Sequence, residues 1–507
     1  MNKHSRSLLI CTLTFAAALH ADVTPHALFC DHAVLQRDKP IPVWGQAAPG
    51  EKVTVRLADK IAETTVAGAD GRWSVRLPAQ PAGGPFTLVF EGKNRVALTD
   101  VWLGEVWVCS GQSNMERQLG PRPPQQPLVN WEQEVAAADY PKIRHFAVAR
   151  TMSDTPQTNT AGKWDVCSPQ TAAQFTAVGY FFARDLQHQL QVPIGLIHSS
   201  WGGTPAETWM RRDHLANQFP EVIAAQEKAI ASYEAALTKY KTEEPALLKA
   251  WAEATAVAKA AGKPEPKKPA APRDPRSSSG RPAALYQGMI APLQPYAIRG
   301  VIWYQGEANA SRAEAYRTLF PALITDWRAQ WGQGDFPFLF VQLAPYKGNG
   351  PEIRDAQLHA WRATPNTAMV VTTDVGDAED IHPTRKEPVG VRLALAARAL
   401  AYGEKIECSG PRFTAATVAG AKMIVRFDHL GGGLVAKDGP LRGFTISGDG
   451  KTFVPAEAAI VGDTVEVSAA NVASPLAVRY GWANVPDVNL FNAAGLPASP
   501  FRSDGKP

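Results

Sequence analysis

The sequence predicts an α/β domain built on a parallel sheet, with a β-sandwich-type domain before it and a second β-domain after it. Three observations carry this expectation. Between about residues 104 and 404, short apolar runs alternate with amphipathic stretches, the signature of buried strands spaced by helices. On either side, apolar residues recur at every second position between turn pairs, the signature of half-buried antiparallel strands. At 507 residues, the chain is also too long for one core.

The first 21 residues stand apart. Lys3 and Arg6 precede an apolar run from Leu8 to Leu19, and Ala21 offers a small-residue cleavage end before Asp22. This is the pattern of an export signal, so the mature chain is expected to be periplasmic or extracellular. Cys11 follows bulky Ile10, which does not suit a lipoprotein. No later segment is long and apolar enough to span a bilayer. Residues 22–103 then read as a β-sandwich domain. Val53, Val55 and Leu57 alternate with polar partners, as do Trp73, Val75 and Leu77 after the hairpin-type pair Asp70-Gly71.

In the central region, residues 104–404, strands are expected at Val106–Val108, Ile194–Ile197, Val301–Tyr304, Phe338–Leu343 and Met369–Thr373, and helices at Ala177–Leu190, Tyr316–Trp331 and Pro388–Tyr402, with Gly403 as a C-terminal cap. Residues 215–282 interrupt the pattern. Ile230, Tyr233, Leu237 and Tyr240 have helical spacing. A second helical piece around Leu247 and Trp251 follows Pro245, and a proline-rich tract runs to Ser279-Gly280. A helical hairpin and an extended linker are expected there. After Lys405 the alternation returns, for example over Met423–Phe427 and Thr464–Val467, giving a β-domain over 405–507.

Composition narrows the function classes. Hydrophobic residues make up 45% and charged residues 20%, which excludes wholesale disorder. A net charge of +4 argues against nucleic acid as a partner, where a concentrated basic face is expected. Beyond Cys11, the cysteines at 30, 109, 167 and 408 fit no zinc spacing. They are expected either as two disulfides or as buried thiols.

Four loops carry the chemistry. Gly111-Gln112-Ser113-Asn114-Met115 directly follows an apolar strand, so Ser113 sits at the sheet edge where sites form in open α/β folds. A serine needs a base to become a nucleophile. His382, in Asp380-Ile381-His382-Pro383, supplies an imidazole that titrates near neutral pH, with Asp380 or Glu379 to orient it. His198 to Pro205 contains Gly202-Gly203, and Trp303 to Asn309 contains Gln305. Backbone N–H groups at the glycines and the Gln305 amide are the kinds of donor that stabilise an oxyanion. Trp201, Trp209 and Tyr346 are candidates for stacking on a sugar ring, against the plainer reading of core packing.

In this order, GQSNM, Gly-Gly, WYQGE-x-N and a His-Pro block, the chain resembles the sialate O-acetylesterases within the SGNH (GDSL-like) hydrolases. The resemblance extends over the flanking β-domains. It implies a flavodoxin-like three-layer catalytic domain, and an oxyanion hole from the Ser113 N–H, a glycine N–H at Gly202 or Gly203, and the Gln305 side chain. The wider superfamily has an aspartate three residues before the histidine, where this chain has Glu379. The third member is therefore Asp380, Glu379 or absent. The expected reaction is hydrolysis of carbohydrate O-acetyl esters through an acetyl-serine, with no metal or organic cofactor. Acetylated xylan or another plant polysaccharide is the alternative substrate, and a non-catalytic glycan-binding protein is the alternative of another class. Oligomeric state is not legible.

Overall fold

The computed structural model describes residues 22–505. The expected export signal, 1–21, lies outside the described residues. Among the described residues no helix is long and apolar enough to cross a membrane.

The main path of the eleven-stranded central sheet has seven strands: β1 Arg95–Gly111, β2 Tyr140–Ala147, β3 Trp164–Cys167, β4 Ile194–Ser200, β5 Gly300–Tyr304, β6 Phe338–Val341 and β7 Thr367–Val370. They lie in the order β3-β2-β4-β1-β5-β6-β7. All neighbours are parallel except β3 against β2. The five longer helices are α1 Ala177–Leu190, α2 Pro220–Ala260, α3 Ala313–Trp331, α4 Pro351–Ala363 and α5 Glu387–Tyr402.

Side-chain alternation shows where the helices lie. In the β1–β5 ladder Trp107 faces Gly300, and Trp303 faces Ser110. Gly300 and Trp303 are three positions apart, an odd step, so the two tryptophans project from opposite faces. Trp107 meets Phe182 of α1, with ring centroids 5.1 Å apart. Trp303 meets Phe320 and Trp327 of α3, at 6.1 and 5.8 Å. Helices therefore cover both faces, and the parallel strands are sealed as their apolar sequences require.

Strand β1 is longer than the apolar run that announced it. Its first half pairs with Gly83–Glu91 and Val34–Gln36, and its second half with β4 and β5. The transition expected at 103/104 thus falls inside one continuous strand. Before it, Thr24–Pro25, Ile41–Gln46 and Arg72–Leu77 form one sheet, while Lys52–Leu57 and Ile61–Val66 belong to the other. Asp70-Gly71 is consequently a turn between two sheets and not a hairpin: Arg72–Leu77 pairs with Ile41–Gln46. After residue 405 two four-stranded sheets form, around Phe413, Phe427, Phe444, Tyr480 and Phe501.

The insertion differs from expectation. In place of a helical hairpin, α2 is one helix of 41 residues with Pro245 inside it, about 60 Å long at ~1.5 Å per residue. Strong helix formers on both sides of Pro245 carry the helix through the break. The proline-rich tract runs back along it: Trp251 Nε1 donates to Pro266 O at 2.9 Å. Cys30, Cys109, Cys167 and Cys408 are all free thiols, which decides between the two readings of the cysteines.

Candidate active site

Three of the four loops begin directly at the C-terminal ends of β1, β4 and β5, and the fourth connects β7 to α5. β1 and β5 are neighbours although β2, β3 and β4 intervene in sequence, so the chain switches direction across the sheet between them, where a crevice opens in such folds.

Gly111 makes the exit from β1 possible. Its φ is +132°, and a Cβ there would lie 2.2 Å from Tyr304 O. Gln112 then ties the loop to its neighbour. Its backbone N–H donates to Tyr304 O at 2.9 Å, and its side-chain oxygen accepts from the N–H of Ala308 at 3.2 Å. Ser113 starts a single helical turn, Ser113–Glu116, and is half-buried. As the first residue of that turn its N–H has no intrahelical acceptor.

The His382 loop lies against this turn. Asn114 Nδ2 donates to Ile381 O at 3.0 Å, so the residue after Ser113 touches the residue before His382. The imidazole is partly exposed, at 21%. Asp380 Oδ1 accepts the His382 backbone N–H at 2.8 Å and lies 3.6 Å from Nδ1, beyond hydrogen-bond length. Glu379 points away, exposed and paired with Lys347. Burial lowers the His382 pKa, Lys386 lowers it further, Asp380 opposes, and Arg117 and Arg122 add to the lowering. The ring is therefore an uncharged imidazole at neutral pH.

Gly202 packs directly on the serine: a Cβ at this position would sit 3.2 Å from Ser113 Cβ. The anticipated oxyanion donors are arranged differently from expectation. The Gly202 N–H already donates to Glu116 Oε2 at 3.0 Å, and Glu116 in turn pairs with Arg122 and Arg150. Gly203 is exposed. Gln305 is fully buried; its amide donates to Thr204 O at 3.2 Å and Asn309 Oδ1 at 2.7 Å, and its oxygen accepts from Tyr316. One Gln305 hydrogen ties the β5 loop to the β4 loop and the other holds Asn309 within the β5 loop, so Gln305 offers no free donor here. Trp209 is a core residue, fully buried with Nε1 on Thr204 Oγ1, and cannot stack on a sugar. Trp201 and Tyr346 are half-buried, and Arg150 covers the Trp201 ring at 5.3 Å. A serine–histidine contact on β4, His198 Nε2 to Ser200 Oγ at 2.5 Å, involves a serine that is only 5% exposed, out of reach of an ester.

The family model for "Carbohydrate esterase, sialic acid-specific acetylesterase" matches residues 103–254 and 277–400, which includes all four loops. The chain belongs to this family. It is 33% identical over 420 residues to the sialate O-acetylesterase of Rattus norvegicus, covering 74% of this chain and 73% of that protein. It is 30% identical to the Homo sapiens sialate O-acetylesterase, covering 72% and 68%. The crystal structure of a carbohydrate acetylesterase from Xanthomonas citri superposes with a TM-score of 0.80 at 38% identity, over 96% of this chain and 100% of that one. The chain is accordingly a carboxylic ester hydrolase acting on O-acetylated carbohydrate.

Three side chains of this carbohydrate esterase escaped the sequence reading. Asn114 and Glu307 stand inside the quoted motifs without a role, and Lys386 follows the His-Pro block. Asn114 Nδ2 donates also to Glu307 Oε1 at 2.6 Å, and Asn114 Oδ1 accepts from Lys386 Nζ at 2.5 Å. Burial lowers the Lys386 pKa to about 7, opposed by Glu307, and burial raises that of Glu307. The available signal was that both motif residues are polar and sit just past buried strands.

Proposed function

We propose that this carbohydrate esterase removes acetyl groups from O-acetylated sialic acid through an acetyl-serine intermediate, with Ser113 as nucleophile and His382 as base. The observation that carries the reading is the contact from Asn114 to Ile381, 3.0 Å, which joins the serine turn to the histidine loop across the sheet edge. His382 accepts the Ser113 hydroxyl proton as Oγ attacks the acetyl carbonyl. The resulting oxyanion is held by N–H groups of Ser113 and Gly203. Collapse expels the sugar alkoxide, which takes its proton from the imidazolium. Water, deprotonated by His382, then attacks the acetyl-serine, and acetate leaves as Ser113 is reprotonated. Asp380 orients the loop through the backbone of His382 and approaches Nδ1 when substrate tightens the site, as unliganded catalytic hydrogen bonds are often long.

The strand order supports an SGNH-type, flavodoxin-like three-layer catalytic unit. Taken without β2 and β3, the parallel strands follow the 2-1-3-4-5 order of that fold. We place this unit at residues 104–404, between a β-sandwich at 22–103 and a β-domain at 405–507. Export to the periplasm or beyond follows from the basic-then-apolar pattern of residues 1–21.

The test is acetate release from O-acetylated sialic acid and from acetylated xylan, by the parent enzyme and Ser113→Ala. The parent is expected to favour the sialate. The variant should lose about 10⁴-fold or more in kcat on either substrate and stay folded. Full activity in Ser113→Ala removes the nucleophile, preference for xylan changes the substrate, and sugar binding without turnover in the parent favours a glycan-binding protein.

A further inference from the structure

Under the reacting pair lies a sealed polar cluster that the acyl-transfer steps do not use. Asn114 and Lys386 are 1% and 2% exposed. The Asn114 amide is fully subscribed: its two hydrogens go to Glu307 Oε1 and Ile381 O, and its oxygen takes the Lys386 ammonium. The partners lie on two different loops. Glu307 is on the β5 loop, while Ile381 immediately precedes His382 and Lys386 follows it by four residues, at the position just before the first residue of α5. Lys386 also lies over the Tyr304 ring at 5.3 Å.

This arrangement is costly. Lys386 stands at the positive end of a helix, where a cation is disfavoured, and its burial is disfavoured too. A sequence that keeps such conflicts usually does so at a functional site.

Resting on the Ser113–His382 reading, we propose that Asn114, Glu307 and Lys386 form a buried positioning clasp that fixes the His382 loop against the Ser113 turn. None of the three touches the ester. Asn114 sets the separation of the two loops, and the opposite charges of Glu307 and Lys386 hold its amide in one orientation.

Because the clasp carries a charge near the imidazole, it leaves a mark that a purely structural role would not. The charged groups facing His382 are Lys386 and Asp380 from its own loop, and Arg117 and Arg122 from the chain after the serine turn. Replacing Lys386 by methionine removes a positive neighbour, so the imidazole should hold its proton to higher pH.

The experiment measures kcat, KM and the pH profile of kcat/KM for an activated acetyl ester, with the parent, Lys386→Met, Lys386→Arg, Glu307→Gln and the double variant. In Lys386→Met the acid limb should move up by about half a pH unit or more, and kcat should fall about tenfold or more with KM little changed. Lys386→Arg should return the acid limb to its parent position. The double variant should lose less than the two single losses combined, as members of one network do. An unmoved acid limb with parental kcat, or strictly additive losses, overturns the clasp. If Lys386→Met does not fold, Glu307→Gln decides, since it keeps shape and acceptor: parental kcat there overturns the proposal, and a fall in kcat at constant KM supports it. These outcomes are separate from the Ser113→Ala result, which stands or falls without them.

Discussion

Gly202 shows how little room Ser113 has. A methyl group at this residue would lie 3.2 Å from Ser113 Cβ and 2.8 Å from Glu116 Oε2, and the second distance is too short to persist. Either the Glu116 carboxylate leaves the Gly202 N–H or the glycine loop moves off the serine. Gly202→Ala should therefore lower kcat/KM for an activated acetyl ester about 10²-fold, the usual cost of misplacing reacting groups by an ångström, while leaving the thermal midpoint nearly unchanged. Parental kcat/KM in that variant would show that the loop has space to spare. At this scale the sequence revealed residue types and hid their partners. That the loops of Ser113, His382 and the two glycines meet at one sheet edge was legible, because each follows a buried strand. The commitments of Gln305 to Thr204 and of Gly202 to Glu116 were not legible, because they join segments about a hundred residues apart.

Among the elements, β1 connects the two ends of the molecule's chemistry. Its C-terminal end delivers Ser113, and its middle holds Glu105, a carboxylate with no solvent exposure. Arg37 Nε reaches Glu105 Oε1 at 2.5 Å, Arg299 Nε reaches Oε2 at 2.6 Å, and Gln36 Nε2 donates to Oε2 at 3.1 Å. Burial works to raise the Glu105 pKa, but Arg299 and then Arg37 outweigh it and keep the carboxylate charged. Removing one partner of such a buried cluster leaves a poorly compensated charge. Arg299→Met should cost about 3 kcal/mol in denaturant unfolding. Glu105 and Gly111 are roughly 20 Å apart along an extended strand, so kcat should hold. A loss below 1 kcal/mol would mean that Arg37 and Gln36 suffice for the carboxylate. Strands and helices with unbroken apolar patterns, such as α1 and α5, were legible to within a residue or so. β2, β3 and α4 were missed. β2 carries Lys142, Arg144 and His145, and the last two are buried because Arg144 pairs with Asp100 and His145 stacks on Phe175. Tertiary partners conceal these positions from any reading of periodicity.

For the molecule as a whole, α2 is the element that departs furthest from the sheet it was inserted beside. Of its 41 residues only Thr255 is buried. Its first turns do pack, since Val222 and Ile223 lie against the core. Farther out its company is its own return strand, through Trp251 on Pro266 and Lys268 over the Trp251 ring. The two arms meet again near their base, where Arg276 Nη1 lies 3.3 Å from Glu234 Oε1 and the guanidinium covers Tyr233 at 5.6 Å. That contact defines a place where the chain can be closed. Deleting Ala235 to Arg273 and joining Glu234 to Asp274 through two or three glycines removes the exposed arm and keeps the packed base. The shortened enzyme should unfold within a few degrees of the parent, because almost no apolar surface is lost from the core. Its kcat/KM on a small activated acetyl ester should stay within about threefold of the parent, since no residue of the four loops is touched. A loss confined to polymeric or glycan-bound substrate would assign the arm to recognition. A loss on the small ester as well would mean that the arm shapes the serine pocket, and that an excursion nearly free of buried residues is coupled to the chemistry.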